Sequence, residues 1–295
     1  MDLDQDQIDY YSVPALSHSR LKDIRHSPGH FRWKMDNAEP ATDAMNLGSL
    51  VHAMVLEPHV LASQFVASPK FDRRTKVGKE ERSKFFADHP DKKVVTVDEW
   101  EQATLMADAV LAHPGAGSLV DNVIAHGSAE REFYWEDARG INRKAKVDGL
   151  YYGDHGDQSV PSYVIDLKTT IDASPGGFRK SISKYCYGTQ MAYYVEAANT
   201  AMRGAVIIAV SKTPPFGVGL YRFNSEAIDR AALVVSRWLD VYEKCTKEGV
   251  WPTYWDIQNV DVPDWFLTSN GVDRERIDDR PVGGTKSHQV SWEGC

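Results

Sequence analysis

Apolar positions recur at helical spacing over residues 43–57, where Leu47, Leu50, Val51, Met54 and Val55 share one broad face before Pro58 ends the run. Upstream, residues 10–34 read as a short loop and a helix, with Ser17 as the cap and Ser27-Pro28 restarting the chain. Residues 98–112 predict a further amphipathic helix closed by His113-Pro114-Gly115. From residue 129 the period falls to two. Residues 129–135 read as a strand, 136–140 as a turn and 141–150 as the returning strand, followed by a polar loop and a third strand over 162–168. Helical spacing returns at 178–200. The wholly apolar run 204–210 fits a strand buried on both faces, and Pro214-Pro215 with Gly217 turn the chain into another strand over 218–223. A long helix over 225–248 follows from Ile228, Ala231, Val234, Val235, Trp238 and Tyr242.

This order predicts one α/β domain over residues 10–267, between an acidic extension at 1–9 and a tail from 268 to 295 that loses periodicity and is expected to be mobile. No run approaches the roughly 18–20 apolar residues of a membrane span, and the acidic start lacks the pattern of a signal peptide. The three cysteines, Cys186, Cys245 and Cys295, are scattered. They argue against a disulfide framework or a cysteine-ligated metal cluster and for a cytoplasmic setting.

The net charge of −8 argues at first against a nucleic-acid partner, but its distribution reverses that reading. Residues 1–9 hold four aspartates and no base, and residues 256–295 hold eight acids against four bases. The body between them is neutral and carries basic clusters: Arg20, Lys22, Arg25, Arg32 and Lys34; nine Lys/Arg over 68–93; and Arg139, Arg143, Lys144 and Lys146. Such clusters suit sequence-independent phosphate contacts.

The chemistry concentrates in Asp148 and in Asp166-Leu167-Lys168. Residues two apart on a strand share a face, so Asp166 and Lys168 project together and Leu167 points away. Asp148 ends the neighbouring strand. Two carboxylates on adjacent strands make a hard oxygen site for Mg²⁺, and a lysine on the same face can steer a water for hydrolysis. Alone, D-x-K reads equally as a buried ion pair. It is accompanied, however, by Glu130 on the preceding strand, by His52 one helical turn after Gly48, and by Gln190 and Tyr194 at i and i+4.

Taken in order, these residues (G-x-x-x-H, E, D, D-x-K, Q-x-x-x-Y) resemble the RecB-type branch of the PD-(D/E)xK nucleases, and within it the RecE-like exodeoxyribonuclease VIII domain. The resemblance extends to Leu16-Ser17-His18-Ser19-Arg20-Leu21-Lys22, to Leu47-Gly48-Ser49-Leu50-Val51-His52 and to Asp72-Arg73-Arg74-Thr75-Lys76, and covers about residues 10–255. Val147 stands where the usual proline precedes the first aspartate.

The resemblance implies a restriction-endonuclease-like core, a central mixed sheet flanked by helices. It implies Asp148 and Asp166 as principal metal ligands, with His52 and the Leu167 carbonyl as further ones, and Lys168 orienting the attacking water. Glu130 would be the strand glutamate, with Glu132 on the same face as the competing choice. Gln190 and Tyr194 would hold the DNA backbone or position Lys168, although Tyr194 beside Ala192 and Val195 reads equally as core. Lys144 and Lys146 share the strand face of Asp148, and with Arg143 they are expected to meet DNA. Arg73, Arg74, Lys76 and Lys79 form a loop for a terminal phosphate or, on the alternative reading, a solvated surface. The implied activity is Mg²⁺-dependent (Mn²⁺ also fitting) digestion of linear double-stranded DNA from 5′ ends by a ring-shaped homo-oligomer, a tetramer. The single strand would pass to a RecT-type annealing protein. Another activity of the same superfamily, or a DNA-binding protein that does not cut, is the alternative.

Overall fold

The computed structural model describes residues 9–37, 43–153, 159–254 and 262–269. A 3-10 turn at Tyr10–Ser12 precedes α1 (His18–Leu21) and α2 (Pro28–Asp36); Ser27 caps α2 by accepting from the His30 amide, with Pro28 in its first turn. Next come α3 (Asp43–Leu56), α4 (Leu61–Gln64), β1 (Phe65–Ser68), α5 (Lys76–Ala87), β2 (Lys93–Thr96), α6 (Val97–Ala112) and α7 (Pro114–Ala125). The strands β3 (Arg131–Glu136), β4 (Asn142–Val147), β5 (Gly149–Tyr151) and β6 (Tyr163–Thr170) lead to α8 (Pro175–Tyr185) and α9 (Tyr187–Ala198). The order continues with β7 (Gly204–Ser211), β8 (Val218–Phe223) and α10 (Ser225–Glu248). All of these belong to a first unit, Met1–Thr253; in the second, Tyr254–Cys295, the described residues form α11 (Asp264–Ser269). The expected tail from 268 lies almost wholly outside the described residues, as does most of the acidic extension at 1–9.

A four-stranded mixed sheet in the order β5-β6-β7-β8 is the centre. β6 and β7 run parallel, and β5 and β8 are antiparallel to them. Strand alternation divides the core. Val164, Ala205, Ile207 and Ala209 face a cluster with Phe178, Met191, Tyr193, Val195 and Leu239 from α8, α9 and α10. Tyr163, Ile165, Leu167, Ile208 and Val210 face Leu50, Val51, Met106, Val110 and Val120 from α3, α6 and α7. β3 and β4 form a separate antiparallel hairpin, and β1 and β2 a small parallel pair. Among the described residues, no helix is long and apolar enough to cross a membrane.

The structure departs from the sequence-based expectation in instructive places. The returning strand expected over 141–150 splits at Asp148, because there the chain leaves its hairpin partner β3 and pairs with β6 instead. Alternation alone does not register a change of partner. The helical run 178–200 breaks at Cys186, whose left-handed backbone (φ 60°) ends α8 and starts α9. His113-Pro114-Gly115, read as the close of α6, also opens α7: the His113 ring accepts from the Ala116 amide.

Gly149 shows what the partner change demands. A Cβ on it would lie 2.7 Å from a methyl of Val123, so its bare backbone lets α7 close on β5 directly beside Asp148. Gly149→Ala is therefore expected to overpack this contact and cost about 1–3 kcal/mol, read as a lowered denaturation midpoint.

Candidate active site

Asp166 sits in mid-β6, fully buried, between β5 and β7. Lys168, two residues along the same face, brings its Nζ to 2.7 Å from Oδ1, as a hydrogen bond, and to 2.6 Å from Oδ2. The second contact is an ion pair only, so the buried Oδ2 keeps no aligned donor. Asp148, between β4 and β5, accepts the Leu167 amide at 2.8 Å, which ties the crossover to the middle of β6.

From the other side of the sheet, α3 contributes His52. Its Nε2 donates to the Leu167 carbonyl at 2.6 Å, and its Nδ1 faces Asp148 Oδ2 at 3.5 Å and Glu130 Oε1 at 3.8 Å. Donor atoms of His52, Glu130 and Asp148 all lie within 4.8 Å of one another, close enough to share one metal ion. Glu130 precedes β3 rather than lying in it. Its backbone is left-handed (φ 50°), a strained setting for a residue with a Cβ, and its amide is held by the Asp148 carbonyl at 3.0 Å. Of the two candidate glutamates, Glu130 joins this cluster. Glu132 instead accepts from the Tyr134 hydroxyl at 2.8 Å and lies 3.8 Å from Lys146, whose Nζ is also 3.5 Å from Glu130.

The charges lean on each other. Burial disfavours the His52 cation, but Asp148 and Glu130 outweigh it and lift its pKa to about 9. Burial and the nearby Asp148 raise Asp166 against the pull of Lys168. For Lys168 burial works against the charge, and Asp166 and Asp148 more than restore it.

α9 adds Gln190 and Tyr194, joined to each other by a 2.9 Å hydrogen bond from Nε2 to the phenol oxygen. The phenol is partly buried, and burial together with Asp148 and Asp166 raises its pKa. The neighbour of Lys168 that the sequence reading missed is Tyr187, whose ring centroid is 5.4 Å from Nζ. The signal was available, since Tyr187, Gln190 and Tyr194 recur at i, i+3 and i+7 on one helical stripe.

Two expected DNA contacts are corrected. Arg143, 1% exposed, spends its guanidinium on both oxygens of Glu196 (2.6 and 2.9 Å) and lies between the rings of Trp135 and Tyr193. Lys144 does share the face of Asp148, but its buried amine donates to the carbonyls of Tyr10 and Val13 at 2.7 Å each. Both are occupied by the protein itself. Arg73 and Arg74 are exposed just before α5, while Lys76 and Lys79 stand exposed in its first turn, capped by Thr75. Lys76 and Lys79 therefore belong to a helix start rather than to a loop.

The model of a family described as PDDEXK-like domain of unknown function (DUF3799) matches residues 17–260. The chain belongs to this PDDEXK-like family. As a member of that family it is an enzyme of the nuclease type. The structure is similar to that of a putative exonuclease from Eubacterium rectale, at 15% identity and a TM-score of 0.57, over 91% of this chain and 99% of that one. Looser similarities are to an alkaline exonuclease from Laribacter hongkongensis (13% identity, TM-score 0.34, 80% and 92% of the two chains) and a phage-related exonuclease from Haemophilus somnus 129PT (14%, 0.31, 61% and 91%). A comparison with curated proteins finds no match.

Two outcomes follow for the PDDEXK-like protein. Because the folded-state pKa of His52 is raised, its stabilising contribution is complete below about pH 6.5 and fades as pH rises through about 9. The melting temperature measured in EDTA should fall across that window, less steeply in His52→Gln and less steeply with a divalent cation present. Arg143→Ala should cost about 2–3 kcal/mol in a denaturant titration, below a fully buried pair because Glu196 is half-exposed, and should leave the salt dependence of DNA binding unchanged.

Proposed function

We propose that this PDDEXK-like protein is a divalent-metal-dependent exodeoxyribonuclease that hydrolyses phosphodiester bonds of linear double-stranded DNA, working 5′ to 3′ and leaving 3′ single strands. The observation that carries the reading is the pairing of Asp166 with Lys168 beside Asp148, closed by His52 and Glu130. Exonuclease character, polarity, a ring-shaped tetramer and a RecT-type annealing partner rest on the family resemblance.

The clustered donors, two carboxylates and one imidazole from Glu130, Asp148 and His52, fit a hard divalent ion, and the buried Asp166 Oδ2 lacks an aligned donor. Asp148, Asp166, Glu130, His52 and the Leu167 carbonyl would hold it. Bound Mg²⁺ or Mn²⁺ would supply Lewis-acid polarisation of the phosphoryl group. Lys168, fixed by Asp166, orients the attacking water and sets a positive charge against the charge that grows on the phosphoryl oxygens. Tyr187 and the buried Asp166 hold that amine in place. Gln190 and Tyr194, bonded to each other, hold the sugar–phosphate backbone, and Lys146 balances Glu130 while presenting its charge to the incoming strand. Arg73, Arg74, Lys76 and Lys79 contribute distant phosphate contacts.

The reading is tested by digesting a linear duplex labelled at either the 5′ or the 3′ end, with Mg²⁺ or EDTA, alongside a covalently closed circle. Metal-dependent release of the 5′ label from linear DNA only is expected. Cutting of the circle would indicate an endonuclease, and binding without any cutting a protein that has lost catalysis. Asp148→Asn and Asp166→Asn should abolish cleavage while DNA binding persists. Lys168→Ala should slow cleavage by roughly 10²–10³-fold with metal binding retained in calorimetry.

A further inference from the structure

One face of the β3–β4 hairpin continues outward from the metal-ligand cluster. Glu132 and Tyr134 on β3 stand opposite Lys146 and Lys144 on β4, with Glu130 and Asp148 at the root of the same face. Tyr134 is thus four residues, about 13 Å of strand, from Glu130. There the turn Tyr10–Ser12 lies across the hairpin. Tyr10 has its ring centroid 6.1 Å from that of Tyr134 and 5.4 Å from that of Tyr11, and it lies over the Lys144 amine at 4.6 Å. The turn is pinned by the Tyr10 and Val13 carbonyls accepting from Lys144, and by Asp9 accepting from the Tyr11 amide. The result is three grouped tyrosines of which two remain open: Tyr11 is 76% exposed and Tyr134 43%.

We propose that Tyr10, Tyr11 and Tyr134 form a stacking platform for unpaired nucleobases of the strand that enters the metal centre. The proposal rests on the nuclease reading and deepens it, since it names the state of the substrate beside the site. Each base has a π-face, so rings such as these grip a single strand without reading its sequence. Their neighbours suit the same occupant. Lys146, opposite Glu132 on the neighbouring strand, lies between the platform and Glu130 and sets a cation 3.5 Å from the Glu130 carboxylate. Of the acids nearest the rings, Glu132 is engaged by the Tyr134 hydroxyl and Lys146, and Asp9 by the Tyr11 amide. A base pair offers its stacking faces only at its end, so the platform favours a frayed or overhanging end over continuous duplex.

The test uses the full chain in EDTA, where binding is read without cleavage. The probe is a duplex with a short 5′ single-stranded end containing 2-aminopurine, a base whose fluorescence is quenched by stacking; a blunt duplex is the control. Wild-type protein is expected to quench the overhang. Tyr11→Ala with Tyr134→Ala should lose the quenching and weaken overhang binding by roughly ten- to a hundredfold, with blunt-duplex binding unchanged. Tyr11→Phe with Tyr134→Phe should retain both. Tyr11→Ala alone, at an exposed position, provides the reading if the double variant does not fold. Unchanged quenching in the alanine variants, or equal loss from overhang and blunt duplex, would overturn the platform. Failure of phenylalanine to restore quenching would also overturn it, and would assign the effect to the Tyr134–Glu132 hydrogen bond. Quenching by a protein that shows no metal-dependent hydrolysis would sustain the platform and overturn the nuclease reading.

Discussion

A carboxylate placed where no water reaches it sets the terms for the rest of this molecule. Asp166 is held in the middle of β6 with strands on both sides, and an ion so buried is tolerated only beside compensating charge. Lys168 provides that charge, but it is itself buried enough to need Asp166 and Asp148. Asp148 in turn is fixed by the Leu167 amide, and the Leu167 carbonyl fixes His52. A single dipeptide, Asp166-Leu167, therefore organises its own strand and two other segments, those of Asp148 and His52, through the Asp166 carboxylate and the Leu167 backbone.

Much of this was legible in the chain. The period-two alternation located the hairpin and β6, the wholly apolar run located β7, the turn at Pro214-Pro215 and Gly217 led into β8, and the D-x-K spacing placed Asp166 and Lys168 on one face. The two-residue rule needs no tertiary knowledge to do so. What escaped was whatever depends on partners. The split of the returning strand at Asp148 follows from a change of neighbour that leaves the alternation intact. The left-handed bend at Cys186 falls inside an otherwise unbroken helical pattern. Arg143 and Lys144 looked like free cations because a sequence shows a charge but not its counter-groups. Glu196 is 53 residues away from Arg143, and the carbonyls that receive Lys144 carry no side-chain signature at all.

The hairpin illustrates a division of labour between two faces of one ribbon. Its odd positions, Arg143, Ala145, Val147, Phe133 and Trp135, are packed into the protein against α9. Its even positions, Glu132, Tyr134, Lys144 and Lys146, run on from Glu130 and Asp148. Alternate residues of the same short ribbon thus face the packed interior and the carboxylate cluster separately, and the wrong assignment of Arg143 came from treating the basic run as one surface.

That arrangement restricts how the hairpin can change length. Removing one residue from either strand would rotate every later side chain by half a turn, bringing a guanidinium made for an aromatic slot toward the carboxylates and sending Lys146 inward. Deletions or insertions in pairs keep the parity. The tip offers little slack, because Arg139 is tied to Asp240 and Ser236 of α10. Change in this ribbon is therefore quantised: a side chain on either face can be exchanged singly without disturbing its neighbours' parity, whereas the strand itself can grow or shrink only by twos.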